Sequence, residues 1–230
     1  MKTIGLLGGM SWESSALYYR QINLAIQQRL GGLHSAKLVM VSVDFHEIAA
    51  LQRAGDWDTA GALLAEAARK LQAAGAELLL LCTNTMHTVA PAIEAAVQIP
   101  LLHIADPTAQ AIQRAGHTCV GLLGTRFTME QPFYKNRLVE RHGLQVLLPG
   151  TEDRDTIHRI IFDELCLGQT LEVSRQHYRR IMATLVAQGA QAIILGCTEI
   201  TLLVGPQDAS VDLFDTTALH AQAGADFALR

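Results

Sequence analysis

The chain reads as an α/β protein of two similar lobes, each a parallel sheet flanked by helices. Three observations lead there. Half of the 230 residues are apolar, and aromatics make up only 5%, which suits Val/Ile/Leu strands beneath Ala-rich helices. Short apolar runs alternate with helical periodicity, the pattern of parallel strands joined by right-handed crossovers. The third observation is a repeat. TIGLLGG (3–9) is answered by CVGLLGT (119–125), GAELLLLCTNT (75–85) by GAQAIILGCTE (189–199), and IADPTAQA (104–111) by LFDTTALHA (213–221). The pairs keep the same order at separations of 116, 114 and 109 residues. Ordered echoes of this kind mark a tandem duplication and decide architecture.

Each element follows from its local pattern. The first lobe, residues 1–105, opens with the strand IGLLG and a helix through Leu17, Tyr18, Ile22, Ile26 and Leu30. KLVMVSVDF is a strand, a helix runs from about Trp57 to Ala74, and LLLLC is the next strand. A short helix carrying Pro91 and the strand PLLHIAD complete the lobe. The second lobe, residues 106–230, has the strand VGLLG, a helix near Gln131 to His142, and the strand LQVLLPG. Two helical stretches between Asp155 and Gln188 lead to the strands AIILG and VDLFD. The boundary is expected near residues 97–117, with the final helix free to cross back over the first lobe.

Composition excludes several classes of function. A net charge of −4 offers no basic stripe for a nucleic acid. No apolar run approaches the ~18 residues of a membrane span. MKTIGLLGGM carries one Lys and too short an apolar segment for a signal peptide, so a cytoplasmic protein is expected. The four cysteines (Cys82, Cys119, Cys166, Cys197) form no CxxC pair, and no His/Cys spacing suits zinc. No metal is expected. Nor do Lys2, Lys37, Lys70 or Lys135 occupy a strand tip suited to a pyridoxal Schiff base.

In open parallel sheets, ligands bind beyond the carboxyl ends of the strands. Those ends carry Gly8-Gly9-Met10-Ser11, Cys82-Thr83-Asn84-Thr85, Gly124-Thr125 and Gly196-Cys197-Thr198-Glu199. A pseudo-twofold between lobes would set Thr83 and Cys197 on opposite sides of one cleft. GLLGGMSWES lacks the GxGxxG spacing and the acidic residue about 20 positions on that a dinucleotide site needs. It suits a tight turn opening a helix, capped by Ser11 or Ser14. At a strand tip just before helical residues, the Cys197 thiol is expected to have its pKa lowered and to serve as nucleophile or base. Strand alternation turns Cys82 away from the face shown by Thr83, so Cys82, Cys119 and Cys166 read as structural.

GGMSWESS, CTNTMH, GTRFTM, LGCTEI and FDTT, in this order, resemble the aspartate/glutamate racemase family over nearly the whole chain. The resemblance implies two Rossmann-like lobes related by a pseudo-twofold, a homodimer, and amino-acid racemisation without a cofactor. Two cysteines, one per lobe, would flank the substrate α-carbon. Carried over, the second-lobe cysteine is Cys197, whereas the first-lobe position falls on Thr83, a departure from the family pattern. The resemblance thus implies an asymmetric pair: a Cys197 thiolate serving the L enantiomer, and a Thr83 hydroxyl delivering or relaying a proton on the other side. Met10, Asn84, Thr85, Thr125 and Thr198, with N–H groups after Gly9 and Cys197, are candidates to hold the substrate. Thr125 could equally cap a helix. Glu199 could take the ammonium group. ELCLG supplies no cation where some relatives place a Lys, leaving Gln52 and Arg53 as the nearest polar groups for the side chain. Aspartate, glutamate or other small polar amino acids are therefore the expected substrates. A cysteine-dependent decarboxylase or cis–trans isomerase of small carboxylates, and a non-catalytic amino-acid binding protein, are the alternatives.

Overall fold

The computed structural model describes all 230 residues. The chain divides into two compact units, Met1–Ile104 with His220–Arg230, and Ala105–Leu219. In the first unit, β1 (Ile4–Gly8) leads to α1 (Trp12–Leu30), β2 (Leu38–Ser42), α2 (Phe45–Ala54) and α3 (Trp57–Ala73). Then come β3 (Leu78–Leu81), a 3-10 turn (Thr85–Val89), α4 (Ala90–Ala96) and β4 (Leu101–Leu102). The second unit runs α5 (Ala105–Arg114), β5 (Cys119–Gly124), α6 (Arg126–Glu130), α7 (Pro132–Asn136) and β6 (Gln145–Leu147). It continues through α8 (Thr151–Asp163), a 3-10 turn (Leu165–Leu167), α9 (Glu172–Ala187), β7 (Ala192–Gly196), α10 (Ile200–Leu203) and β8 (Asp212–Asp215). The last helix, α11 (Thr216–Ala228), starts in the second unit and ends in the first.

Both sheets are four-stranded and parallel, and their orders are the same: β2-β1-β3-β4 and β6-β5-β7-β8. The α/β class read from the sequence is what the chain adopts. The duplication extends to register. Gly5 pairs with Leu79 in one sheet and Gly121 with Ile193 in the other. Counting outward from those pairs, Thr83 and Cys197 occupy equivalent places, each two residues beyond a matched pair, Leu81 with Leu7 and Leu195 with Leu123. The third echo is displaced, however. Leu101 and Leu213 face the equivalent residues Leu79 and Ile193, so the true separation there is 112 residues and the counterpart of Asp215 is His103, not Asp106.

Burial of LLLL on both faces explains its unbroken apolar run. Leu79 and Leu81 join Leu7, Leu64, Leu71 and Met86 in one cluster. Leu78, Leu80 and Cys82 join Tyr18, Ile22, Ile26 and Ala225 in the other. Alternation has carried Cys82 into the core, as the sequence implied.

Three elements depart from the sequence reading. KLVMVSVDF shortens because the Asp44 side chain accepts a hydrogen bond from His46 N (2.9 Å) and opens α2 at Phe45. PLLHIAD keeps only two strand residues before α5 begins. The helix expected near Gln131 to His142 is broken, because Gln131 is extended (ψ 149°) ahead of Pro132, and it ends in a π-helical turn, Arg137–Arg141.

Candidate active site

At the end of β1 the chain turns sharply. Gly9 has φ 96°, and a Cβ there would lie 2.2 Å from Val43 O, so both conformation and space demand glycine. Ser11 then caps α1, accepting from Ser14 N (3.3 Å). Gly9 N donates to Ser15 Oγ (2.8 Å), which in turn donates to Ser11 O (3.0 Å). The turn is held by its own serines, and Gly9's own N–H is committed to it. Met10 is buried in the same apolar cluster as Met86. Gln52 is buried too, its Nε2 donating to Met86 Sδ (2.9 Å), whereas its neighbour Arg53 is exposed. These contacts bring the candidates Met10 and Gln52 to one methionine-lined region, without a buried cation.

Beyond β3, Thr83, Asn84 and Thr85 are all buried. The backbone carbonyl of Thr83 is held by His87 Nδ1 (2.8 Å), and Ile104 N donates to His87 Nε2 (3.2 Å). Those two bonds fix the tautomer, with the proton on Nδ1. His87 thereby ties the β3 tip to the segment after β4. His103 lies against it with ring centroids 4.4 Å apart, and His220 stands 6.0 Å away. His220 is itself held between Tyr18 Oη (2.8 Å) and Leu102 O (2.7 Å). Burial, reinforced by the two neighbouring histidines, depresses the His87 pKa well below the ordinary imidazole value, so the ring stays neutral. Cys82 is not a substitute thiol at this tip, since burial raises its pKa far above the usual range.

The tip beyond β7 is built differently. Cys197 Sγ donates to Glu199 Oε2 (3.0 Å), and Thr198 Oγ1 donates to the same oxygen (2.5 Å). Burial, the Glu199 carboxylate and the Cys166 sulfur all push the Cys197 thiol well above its ordinary value. This corrects the expectation of a lowered pKa. The helix that follows, α10, is a single turn of four residues with little dipole to offer, and a carboxylate sits directly on the thiol. The resting state is therefore a protonated thiol hydrogen-bonded to a carboxylate. Glu199, read from the sequence as an ammonium ligand, already has a partner in Cys197.

Other second-unit groups were not legible as site residues. Cys166, in the turn after α8, is pushed up to about 12 by burial and by Glu199. Tyr178 of α9 is fully buried with no hydrogen-bond partner for its hydroxyl. Its pKa is raised by burial and by Cys197, Glu164, Cys166 and Glu199 around it. In sequence Tyr178 is one apolar-face residue of an ordinary helix, and nothing signalled it. Thr125 accepts from Thr128 N (3.2 Å) and caps α6, so the capping role is realised.

With this geometry in view, comparison with known proteins is direct. Residues 7–224 match the Asp/Glu/hydantoin racemase family. The chain belongs to that family. A Yersinia pestis protein, whose own assignment as an Asp/Glu racemase is provisional, is 60% identical with full coverage of both chains and a TM-score of 0.94. An aspartate racemase homologue from Pyrococcus horikoshii OT3 is 34% identical, again over the whole of both chains, with a TM-score of 0.85. The broad specificity amino-acid racemase RacX of Bacillus subtilis (strain 168) is 24% identical over 171 residues, 73% of this chain and 72% of that protein.

Proposed function

We propose that this member of the family is an amino-acid racemase that works without a cofactor, moving a proton off and onto the substrate α-carbon with Cys197 and Thr83. The observation that carries this reading is the equivalence in sheet register of Thr83 and Cys197, two protic side chains at matched tips of duplicated sheets. A racemase needs two such groups, one for each face of the α-carbon.

The hydrogen bond between Cys197 and Glu199 suggests how a thiol with a raised pKa can act as a base. Glu199 takes the Sγ proton, leaving a thiolate that removes the α-proton of one enantiomer. Thr83 gives its hydroxyl proton to the opposite face and takes one from water in the same event, so no alkoxide persists. Glu199 then returns its proton to solvent, which closes the balance. Enantiomers are equal in free energy, so kcat/KM must match in the two directions, and only the split between kcat and KM can differ.

Among substrates, a buried neutral amide at Gln52 and an exposed Arg53 favour small polar amino acids over strict selection of aspartate or glutamate by a buried cation. A related reading, a cysteine-dependent decarboxylase or isomerase, draws support from the presence of a thiol at only one of the two tips.

Proton NMR of α-deuterium uptake in D2O separates these readings. With L- and D-aspartate, glutamate and serine, exchange with inversion that disappears in Cys197→Ser is the expected result. Release of CO2 would move the function to the decarboxylase reading, and no exchange with any amino acid would move it to the isomerase or to a non-catalytic amino-acid binding protein.

A further inference from the structure

The hydroxyl of Tyr178 is buried beside Cys197, and the reaction proposed above gives it no task. Helix α9 buries Ser174, Tyr178, Ile181 and Leu185, a single stripe at helical spacing. Leu185 fixes where that stripe lies on the sheet, because a Cβ added at Gly121 would meet Leu185 Cδ1 at 2.9 Å. Tyr178 lies seven residues earlier on the same face, about 10 Å along the helix at a rise of about 1.5 Å per residue. A helix that joins two parallel strands runs back against them, so that distance spans about three strand residues toward the carboxyl ends. Three residues beyond Gly121 is Gly124, which pairs with Gly196, the neighbour of Cys197. The phenol is thereby carried to the tip of β7.

Tyr178 is fully buried, and no protein group accepts from or donates to its hydroxyl. A phenylalanine would fill the same space, so the hydroxyl alone is left to explain. A buried donor without an acceptor is costly and rare, which points to an acceptor formed in another state of the site. The groups nearby narrow the choice. Glu164 is held on both oxygens, Oε1 by Arg159 Nη1 (3.1 Å) and Oε2 by Ser174 Oγ (2.5 Å). Glu199 accepts from Cys197 and Thr198 in the resting pair and takes nothing from Tyr178. Cys166 stays a neutral thiol, pushed up to about 12 by burial and by Glu199. That leaves the Cys197 sulfur, which becomes negative once Glu199 has drawn its proton.

We propose that Tyr178 is a positioning residue for Cys197, its hydroxyl donating to the sulfur once the thiol proton has passed to Glu199. The inference rests on the reading of Cys197 as the base of the reaction. The sulfur is faced by Glu199 from its own segment, by Cys166 from the turn Leu165–Leu167 and by Tyr178 from α9. The first two oppose a thiolate, and the phenol O–H favours it. A bond made to the thiolate and absent from the thiol eases ionisation without stabilising the resting state. A preorganised donor accelerates proton abstraction in this way.

Tyr178→Phe, which keeps the ring and removes the hydroxyl, tests it. The kcat for α-proton exchange should fall by about tenfold to a hundredfold with KM unchanged. Alkylation of Cys197 by iodoacetamide at pH 8, followed by peptide mass spectrometry, should slow by about threefold or more, since a less acidic thiol leaves a smaller thiolate fraction. The urea midpoint should hold or rise, because an unmatched buried hydroxyl has gone. An unchanged alkylation rate or an unchanged kcat would overturn the proposal. So would a lower midpoint, which would mean that the hydroxyl already has a partner in the resting fold. Alkylation reads the thiol without turnover. If wild type exchanges no amino acid and Tyr178→Phe still slows alkylation, the racemase reading fails while the role of Tyr178 beside Cys197 stands.

Discussion

The two strand tips share a backbone plan and differ in what holds them. At the first, Thr83 is gripped through its backbone carbonyl by a neutral histidine, so the anchoring is geometric. At the second, the side chain of Cys197 is itself engaged by a carboxylate, so the anchoring is chemical. In the proposed mechanism, a hydroxyl delivering a proton needs to be placed well, while a thiol that must lose one needs an acceptor beside it. Duplication kept the position of the two tips, while their side chains and the groups that hold them differ.

The largest effects should come from exchanging or removing the tip side chains. Cys197→Ser is expected to lower α-proton exchange about a thousandfold or more, because a serine hydroxyl beside Glu199 is a far weaker acid than the thiol. Thr83→Ala should behave differently. Inversion should fall by about a hundredfold or more while Cys197 continues to wash deuterium into one enantiomer with its configuration retained. Thr83→Cys should recover inversion. Chiral chromatography of deuterated product reads both, and a Thr83→Ala variant that inverts at the wild-type rate would break the comparison.

Glu199→Gln comes next. Since the carboxylate raises the Cys197 pKa, neutralising it should bring the thiol down. In wild type Glu199 takes the thiol proton internally, so kcat/KM should be level across neutral pH, whereas in the variant the thiol must ionise to solvent and kcat/KM should rise with pH. The plateau should drop by about tenfold to a hundredfold through loss of the proton acceptor. A pure increase in KM with an unmoved pH profile would instead return Glu199 to ammonium binding.

The histidines sharpen the comparison through stability. His87 is neutral and deeply buried, with its folded-state pKa held well below 6.5. An unfolded chain binds a proton there near pH 6.5 and the folded chain does not. Stability is therefore fully present above that pH and lost below it, at about 1.4 kcal/mol per pH unit until the folded pKa is reached. Urea midpoints at pH 7.5 and 5.5 should show that fall, and His87→Asn, which keeps a donor for the Thr83 carbonyl, should flatten it. An equal pH dependence in the variant would assign the acid lability elsewhere.

The sequence exposed the duplication because strands written GLLG and LLLL must keep their apolar order to be buried on both faces. It exposed Thr83 and Cys197 for the same reason, since register carries the tip residues along with the strands. What surrounds the tips was less legible. Asp44 ended a strand early with one side-chain bond, and the tether between His87 and Ile104 N joins residues 17 apart in sequence. Tyr178 stands near Cys197 only because α9 returns along the sheet. The sign of the Cys197 shift was misread for a related reason: a thiol before a helix suggests a dipole, and the length of α10 and the direction of the Glu199 side chain are not written in the local pattern.

A packing contrast isolates the two copies from chemistry altogether. Gly5 and Gly121 hold equivalent places opposite Leu79 and Ile193. A Cβ at Gly121 would meet Ile193 Cδ1 at 2.6 Å and Leu185 Cδ1 at 2.9 Å, both ends of side chains that can rotate away. At Gly5 it would meet Ala76 Cβ at 2.8 Å and the Leu78 carbonyl at 3.2 Å, neither of which has a torsion to relieve the contact. Gly5→Ala should thus cost about 1–3 kcal/mol, as overpacked cores do. Reduced unfolded-state entropy returns about 0.4–1 kcal/mol in both variants, so Gly121→Ala should cost less only because its neighbours can repack. Denaturant midpoints of the two variants decide this. The reverse order would mean that the first unit's sheet yields by backbone movement where the second cannot, and that the two copies differ in rigidity as well as in the chemistry of their tips.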